Sequence, residues 1–339
     1  MRLHRGILKF AILLLSVFLL VVTSPLLPPM FHSLPTVVQA QTVEERQAEA
    51  FQLNQEGKQQ LNSGNFQEAL GKFKEALAIF QEIGDLYHSG DTLNAIGFSY
   101  TNLGQYVQAL EAYQQAVTIS RNISNKTTEG LALNNIGKLY ERQDQYDKAL
   151  EFYFQALPVR REAGDLNGVG NTLDNIASVY QVLNQYPQAI DFYRQALDIR
   201  QELSDRQGVR NTLYNIASIY TTIKQYPQAI DFYRQVLVIE RELSNQQGEL
   251  SVLASIGRLY RNLGEYSQAL EFFDQAFTIA KEVDDRGYQG SILNSMSTVY
   301  RRLGQYYKAL QALEEASSIY QSIDNKDVKS SILHNIGLV

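Results

Sequence analysis

The sequence predicts an all-α protein, a solenoid of antiparallel helix pairs. Three observations carry this: a forty-residue period, two apolar stripes of helical spacing in each period, and turn residues between the stripes. Stepping by forty from Leu53 lands on Leu93, Leu133, Leu173, Leu213, Leu253, Leu293 and Leu333. From Phe66 the same step gives Tyr106, Tyr146, Tyr186, Tyr226, Tyr266 and Tyr306, and from Ala69 it gives Ala109, Ala149, Ala189, Ala229, Ala269 and Ala309. No gap is needed, and self-similarity at one fixed period marks a stack of like units.

Within the fourth period Leu173, Ile176, Ala177 and Tyr180 fall at i, i+3, i+4 and i+7, one face of a first helix. The polar break Leu183-Asn184-Gln185-Tyr186 follows. Ala189, Tyr193, Ala196, Leu197 and Ile199 then form the stripe of a second helix. Gly64, Gly104, Gly264 and Gly304 occupy the break, where a left-handed residue closes a helix, and Asn184 takes that place in unit four. Pro187 and Pro227 open second helices, where a missing N–H is harmless. Small residues at Gly97, Gly137, Ala177, Ala217 and Gly257 admit the second helix closely. Tyr100, Tyr140, Tyr180, Tyr220, Tyr260 and Tyr300 are expected to fill the space beside it, so that truncating a buried one to Ala costs about 3–5 kcal/mol. Pro158 lies inside a second helix, where it removes the bond to the Phe154 carbonyl, and a kink is expected there.

The pattern Leu-x-x-Ile-Gly/Ala-x-x-Tyr, Gly/Asn-x-Tyr-x-x-Ala-Leu/Ile, Tyr-x-x-Ala resembles the tetratricopeptide repeat. The linkers Gly164-Asp165-Leu166-Asn167-Gly168 and Ser204-Asp205-Arg206-Gln207-Gly208 resemble its forty-residue variety, as in kinesin light chains and Leu-Gly-Asn-repeat adaptors. Seven units result, at residues 50–83, 90–123, 130–163, 170–203, 210–243, 250–283 and 290–323, with a truncated half-repeat at 327–339. Gln60, Leu313 and Val236 depart from the pattern. The resemblance implies a right-handed superhelix whose first helices line a concave groove that binds a protein or peptide partner.

On that frame the groove residues are Asn134, Asn135, Lys138, Glu141 and Arg142 in unit three, and Asn171, Asp174, Asn175 and Ser178 in unit four. Unit five supplies Asn211, Tyr214, Asn215, Ser218 and Thr221, unit six Arg258, Arg261 and Asn262, and unit seven Asn294, Arg301 and Arg302. Asn135, Asn175, Asn215 and Asn335 form a ladder at the forty-residue step. Asn is a mediocre helix former, so its repetition needs a compensating role. A carboxamide both donates and accepts, which suits the backbone of an extended peptide, and family members with Asn here use it so. The other reading is that the amides join neighbouring helices. Arg258, Arg261, Arg301 and Arg302 suit an acidic segment or a C-terminal carboxylate, or else form a solvated face paired with acids such as Glu265.

The formal charge is −6, and Arg2, Arg5 and Lys9 are the only Lys, Arg, Asp or Glu among residues 1–40. An acidic remainder argues against nucleic acid, which demands a basic surface. With no cysteine, thiolate nucleophiles and zinc–cysteine sites are excluded. His88 and His334 are the only histidines after residue 40, and no phosphate loop or metal-ligand spacing occurs. No catalytic residue, cofactor or metal is therefore expected. Residues 1–40 read as a signal peptide: basic residues, an apolar run of about 13 residues from Phe10 to Val22, and Val38-Gln39-Ala40 as a cleavage site. Export to the periplasm or the extracellular space follows; the alternative is an uncleaved anchor at residues 7–22, which would be the protein's one membrane contact. The half-repeat motivates a rival reading, in which the array regulates a caspase-like CHAT domain of a longer gene product.

Overall fold

A computed structural model describes residues 42–323 together with Ile332, Asn335 and Ile336. The leader at 1–40, with its anchor alternative, and most of the half-repeat at 327–339 lie outside these residues. The described chain is a repeat superhelix of seven helix pairs, with no strand among the described residues. The pairs are α1 (Val43–Asn62) with α2 (Phe66–Glu82), α3 (Leu86–Asn102) with α4 (Tyr106–Asn122), and α5 (Lys126–Glu141) with α6 (Tyr146–Glu162). Next come α7 (Leu166–Val182) with α8 (Tyr186–Glu202), and α9 (Arg206–Thr222) with α10 (Tyr226–Glu242). The last two pairs are α11 (Gln246–Leu263) with α12 (Tyr266–Glu282), and α13 (Arg286–Arg302) with α14 (Tyr306–Ser322).

The first thirteen helices end the same way. After α2 the Asp85 N–H bonds the Phe80 carbonyl at 2.8 Å and the Gly84 N–H bonds the Gln81 carbonyl at 3.2 Å, around a left-handed Gly84 with φ 75°. This is the six-to-one, five-to-two closure that satisfies the last carbonyls. Gly64, Gly104, Gly264 and Gly304 take the same conformation as expected, and so does Asn184 at φ 59°. The two kinds of turn differ in the next helix's cap. Turns between units end in Asp85, Asn125, Asp165, Asp205, Asn245 and Asp285, each accepting from a backbone N–H three residues on. Turns within units end in Asn65, Gln105, Gln145, Gln185, Gln225, Glu265 and Gln305, none of which makes that bond. One helix, α6, runs through Pro158 over the same length as its counterparts.

Inside each pair the deepest ring belongs to the second helix: Phe73, Tyr113, Tyr153, Tyr193, Tyr233 and Phe273 are buried. The first-helix tyrosines expected to fill the core are half-buried, and in units three to six each stacks on a second-helix phenylalanine. Their truncation therefore removes less buried surface than the range given above assumed.

Between pairs, the residue late in the second helices of units one to five meets the one eight positions on, and their sizes compensate. Phe80 stacks on His88 at 5.3 Å. Ser120 lies near Thr128 across Gly90. Arg160, Arg200 and Glu240 each face a glycine, where a Cβ at Gly168, Gly208 or Gly248 would fall within 2.3 Å of their head groups. The buried charges are paired: Arg200 with Asp174 and, at 2.8 Å, with Asp205; Arg160 with Asp165 at 3.5 Å; Glu240 with Arg210 at 3.6 Å. Nearer the amino end, Asn54 Oδ1, Asn94 Oδ1 and Ser120 Oγ are buried without a hydrogen-bond partner.

Candidate functional site: the first-helix face

First helices of adjacent units touch one another, α3 with α5, α5 with α7 and α11 with α13, and approach more closely than second helices do. The first helices therefore form the inner face, and their residues opposite the core line it.

A polar seam joins this face. Asn134, only 3% exposed, accepts at Oδ1 from Thr172 Oγ1 and from Asn175 Nδ2, both at 3.1 Å. Thr212 Oγ1 donates to Asp174 at 3.3 Å, and Asn54 Nδ2 to Thr92 Oγ1 at 3.4 Å. Asn335 Nδ2 donates to Asn294 Oδ1 at 3.0 Å, repeating the Asn175–Asn134 bond. One side of the ladder thus holds helices together, and Asn134 has no carbonyl turned to the groove. Asn135 and Asn215 are half-buried with open amides.

Three concavities follow one another along the face. The first, of about 620 Å³, brings together Asn175, Ser178 and Asn215 with Gln181, Thr222 and Tyr193. The second, of about 290 Å³, holds Tyr214, Arg258 and Arg261 beside Tyr233. The third, of about 710 Å³, sets Arg261 and Arg302 across from Tyr226 and Tyr266. Arg301 is half-buried beside this row, while Lys138 stands apart in unit three. Its bed of neighbouring helices and the nearby Arg160 and Arg142 cations lower the Lys138 pKa, against an opposing pull from Glu141. Gln181 and Thr222 are lining residues that the sequence reading left out.

A rule links the face to the core behind it. Where the buried second-helix ring carries a hydroxyl, the residue twelve positions earlier meets it. Thr101 Oγ1 lies 3.3 Å from the Tyr113 hydroxyl, Tyr153 donates to Glu141 at 2.6 Å, and Tyr193 donates to Gln181 at 3.3 Å. In unit five Thr221 holds this place and lines the same concavity as Tyr233, while its hydroxyl donates to the Ala217 carbonyl at 2.9 Å. Burial drives the Tyr113 and Tyr233 hydroxyls up to about 12. In units six and seven the ring is Phe273 and the next residue in register is Leu313, neither with a hydroxyl, and the residues twelve positions earlier are Arg261 and Arg301.

Arg258 donates to Ser255 Oγ at 2.9 Å and Arg261 to Asn262 at 3.4 Å. None of the four arginines makes an ion pair among the described residues, Glu265 included. Burial, and then the Arg258 cation, lower the Arg261 pKa from its ordinary value. An anion at this point would relieve both.

Comparison with known proteins follows this geometry. The family profile described as Tetratricopeptide repeat matches at residues 53–122, 88–162, 128–202, 168–242, 208–282 and 248–322. No curated protein matches the chain. Among solved structures, a STAND signal-transduction ATPase with a tetratricopeptide-repeat sensor from Pyrococcus horikoshii is similar at 16% identity and TM-score 0.68, over 86% of this chain and 45% of that one. Aspartyl phosphate phosphatase F from Bacillus subtilis is similar at 15% identity and TM-score 0.58, over 83% and 72%. BtubC from P. vanneervenii is similar at 18% identity and TM-score 0.54, over 72% and 93%. At these identities the likeness is one of fold.

Proposed function

Because the chain belongs to the tetratricopeptide-repeat family, whose arrays are protein-interaction scaffolds, we propose that it binds an extended protein segment along its first-helix face and performs no chemistry. The segment is acidic where it crosses units six and seven. One observation carries the acidic preference: Arg261 and Arg301 stand where units two, three and four place a residue bonded to a buried tyrosine, and no acid among the described residues pairs with them. Arg258 and Arg302 extend the cationic stretch. Over units four and five, Asn175, Asn215, Ser178 and Gln181 present donors and acceptors without net charge, the chemistry that backbone amides require. A carboxylate at the ligand's end would meet the same guanidinium groups bidentately.

Fluorescence polarisation with a labelled Asp/Glu-rich decapeptide, and with Lys-rich and neutral ones of equal length, tests this. The acidic peptide is expected to bind at least tenfold more tightly than the others, about 1.4 kcal/mol, and to weaken as salt rises. Arg261→Ala with Arg302→Ala should remove that preference while leaving the helical circular-dichroism signal intact. Equal binding of the three peptides would overturn the acidic reading. Asn175→Ala with Asn215→Ala should weaken all binding alike.

Export is part of the same proposal, supported by Arg2, Arg5, Lys9 and the apolar run that follows them. N-terminal sequencing of the mature protein is expected to begin at Gln41; a start at Met1 would favour the anchor.

A further inference from the structure

Away from the groove, the row of stacked rings is interrupted. Tyr140–Phe152, Tyr180–Phe192, Tyr220–Phe232 and Tyr260–Phe272 each place ring centroids 5.5 Å apart, with planes inclined by at most 23°. Unit seven keeps the tyrosine, Tyr300, and has Ala312 where the phenylalanine belongs. An opening of about 280 Å³ lies there, between α12 and α14, walled by Phe277, Leu293, Met296, Tyr300 and Ala312. Asp274, Lys308 and Glu315 stand at its rim. Unit two has the same alanine, Ala112, clustered with Ala69, Leu70 and Phe73, as Ala312 is clustered with Leu293 and Leu313, against Phe277.

We propose that this opening is a socket for one aromatic side chain of a partner protein, whose ring completes the stack on Tyr300. Four other units of the same chain define the missing piece, since each fills the equivalent place with its own phenylalanine. The space is smaller than the usual small-molecule pocket of about 300–1,000 Å³ and suits a single side chain. A ring laid on Tyr300 also gains the offset-stacking geometry that aromatic pairs prefer. Two carboxylates against one ammonium at the rim favour a basic residue next to that ring. Its lining shares no residue with the three concavities of the groove proposed above, so the two sites are tested independently.

Met296 is the only methionine among the described residues, and its side chain lines the opening. With carbon-13 in the methionine methyl groups of the full chain, N-acetyl-phenylalaninamide is expected to shift the Met296 signal saturably. N-acetyl-leucinamide should need at least fivefold more for the same shift. Ala312→Phe should abolish the response, hold or raise the melting temperature, and leave acidic-decapeptide binding unchanged. Tyr300→Leu should equalise the two probes. A response that survives Ala312→Phe, an equal response to both probes in the native protein, no response at all, or a lowered melting temperature in Ala312→Phe would each overturn the socket.

Discussion

Gly97 leaves no room for a side chain, since a Cβ there would lie 2.5 Å from the Tyr113 ring. Units four and five carry Ala177 and Ala217 at this place and stay buried, so a methyl group is accommodated by a small shift of the ring. Helix propensity also favours Ala over Gly by about 1 kcal/mol. Gly97→Ala should therefore be nearly neutral, whereas Gly97→Val should overpack and destabilise by about 1–3 kcal/mol in urea unfolding. Glu129 makes a different prediction. Burial opposes its carboxylate, but hydrogen bonds from Arg121 at 2.7 Å and Lys126 at 3.1 Å outweigh this and hold its pKa below the ordinary glutamate value. Asp85 is lowered likewise, burial being outweighed by the His88 N–H and ring nitrogen. A lowered folded pKa gives stability that is present above the unfolded value, about 4 for these groups, and is lost as pH falls through the folded one. The urea midpoint should therefore drop on acidification below about pH 4, and Glu129→Gln should flatten that drop. Asn134 shows what a sequence hides at this scale. Its amide belongs to the seam because Thr172 and Asn175 reach it from the next unit, and no local spacing reveals that.

Helix pairs were legible because the turn chemistry agrees with the apolar spacing. Gly or Asn takes the left-handed turn at seven joints, Ser, Asp or Lys at six others such as Ser204 and Lys224, and there the stripes and the Asp or Asn caps between units mark the ends. What stayed hidden was which of two aromatic columns is deepest, since Tyr100 and Tyr113 both sit on apolar stripes. Burial there is decided by the small residue opposite, Gly97 beneath Tyr113. The Arg261 rule was present in the sequence as Phe273 and Leu313, but reading it requires knowing that positions twelve apart meet. Helix α6 offers a test at the element scale. Pro158 leaves the Phe154 carbonyl without its helical donor, and an interior proline costs about 3 kcal/mol. Pro158→Ala should raise stability by about 1–3 kcal/mol, measured by the urea midpoint, with no change in acidic-peptide affinity.

The whole array is held together from neighbour to neighbour, and its joints are not interchangeable. Removing residues 168–207 sets Arg160 against Gly208, a combination the structure already uses. Removing 128–167 instead sets Ser120 against Gly168, two small residues with a gap between them. Both deletions keep the forty-residue frame, yet the second should be less stable than the first by about 1–3 kcal/mol, the cost of an unfilled space, on comparison of their urea midpoints. A linear array also answers to force differently from a compact domain, because each joint bears the whole load in turn. Held by its two ends and stretched in an optical trap, the protein should peel from units one and two. There Asn54, Asn94 and Ser120 keep buried oxygens without partners, while the joints braced by Arg160, Arg200 and Glu240 should give way at higher tension.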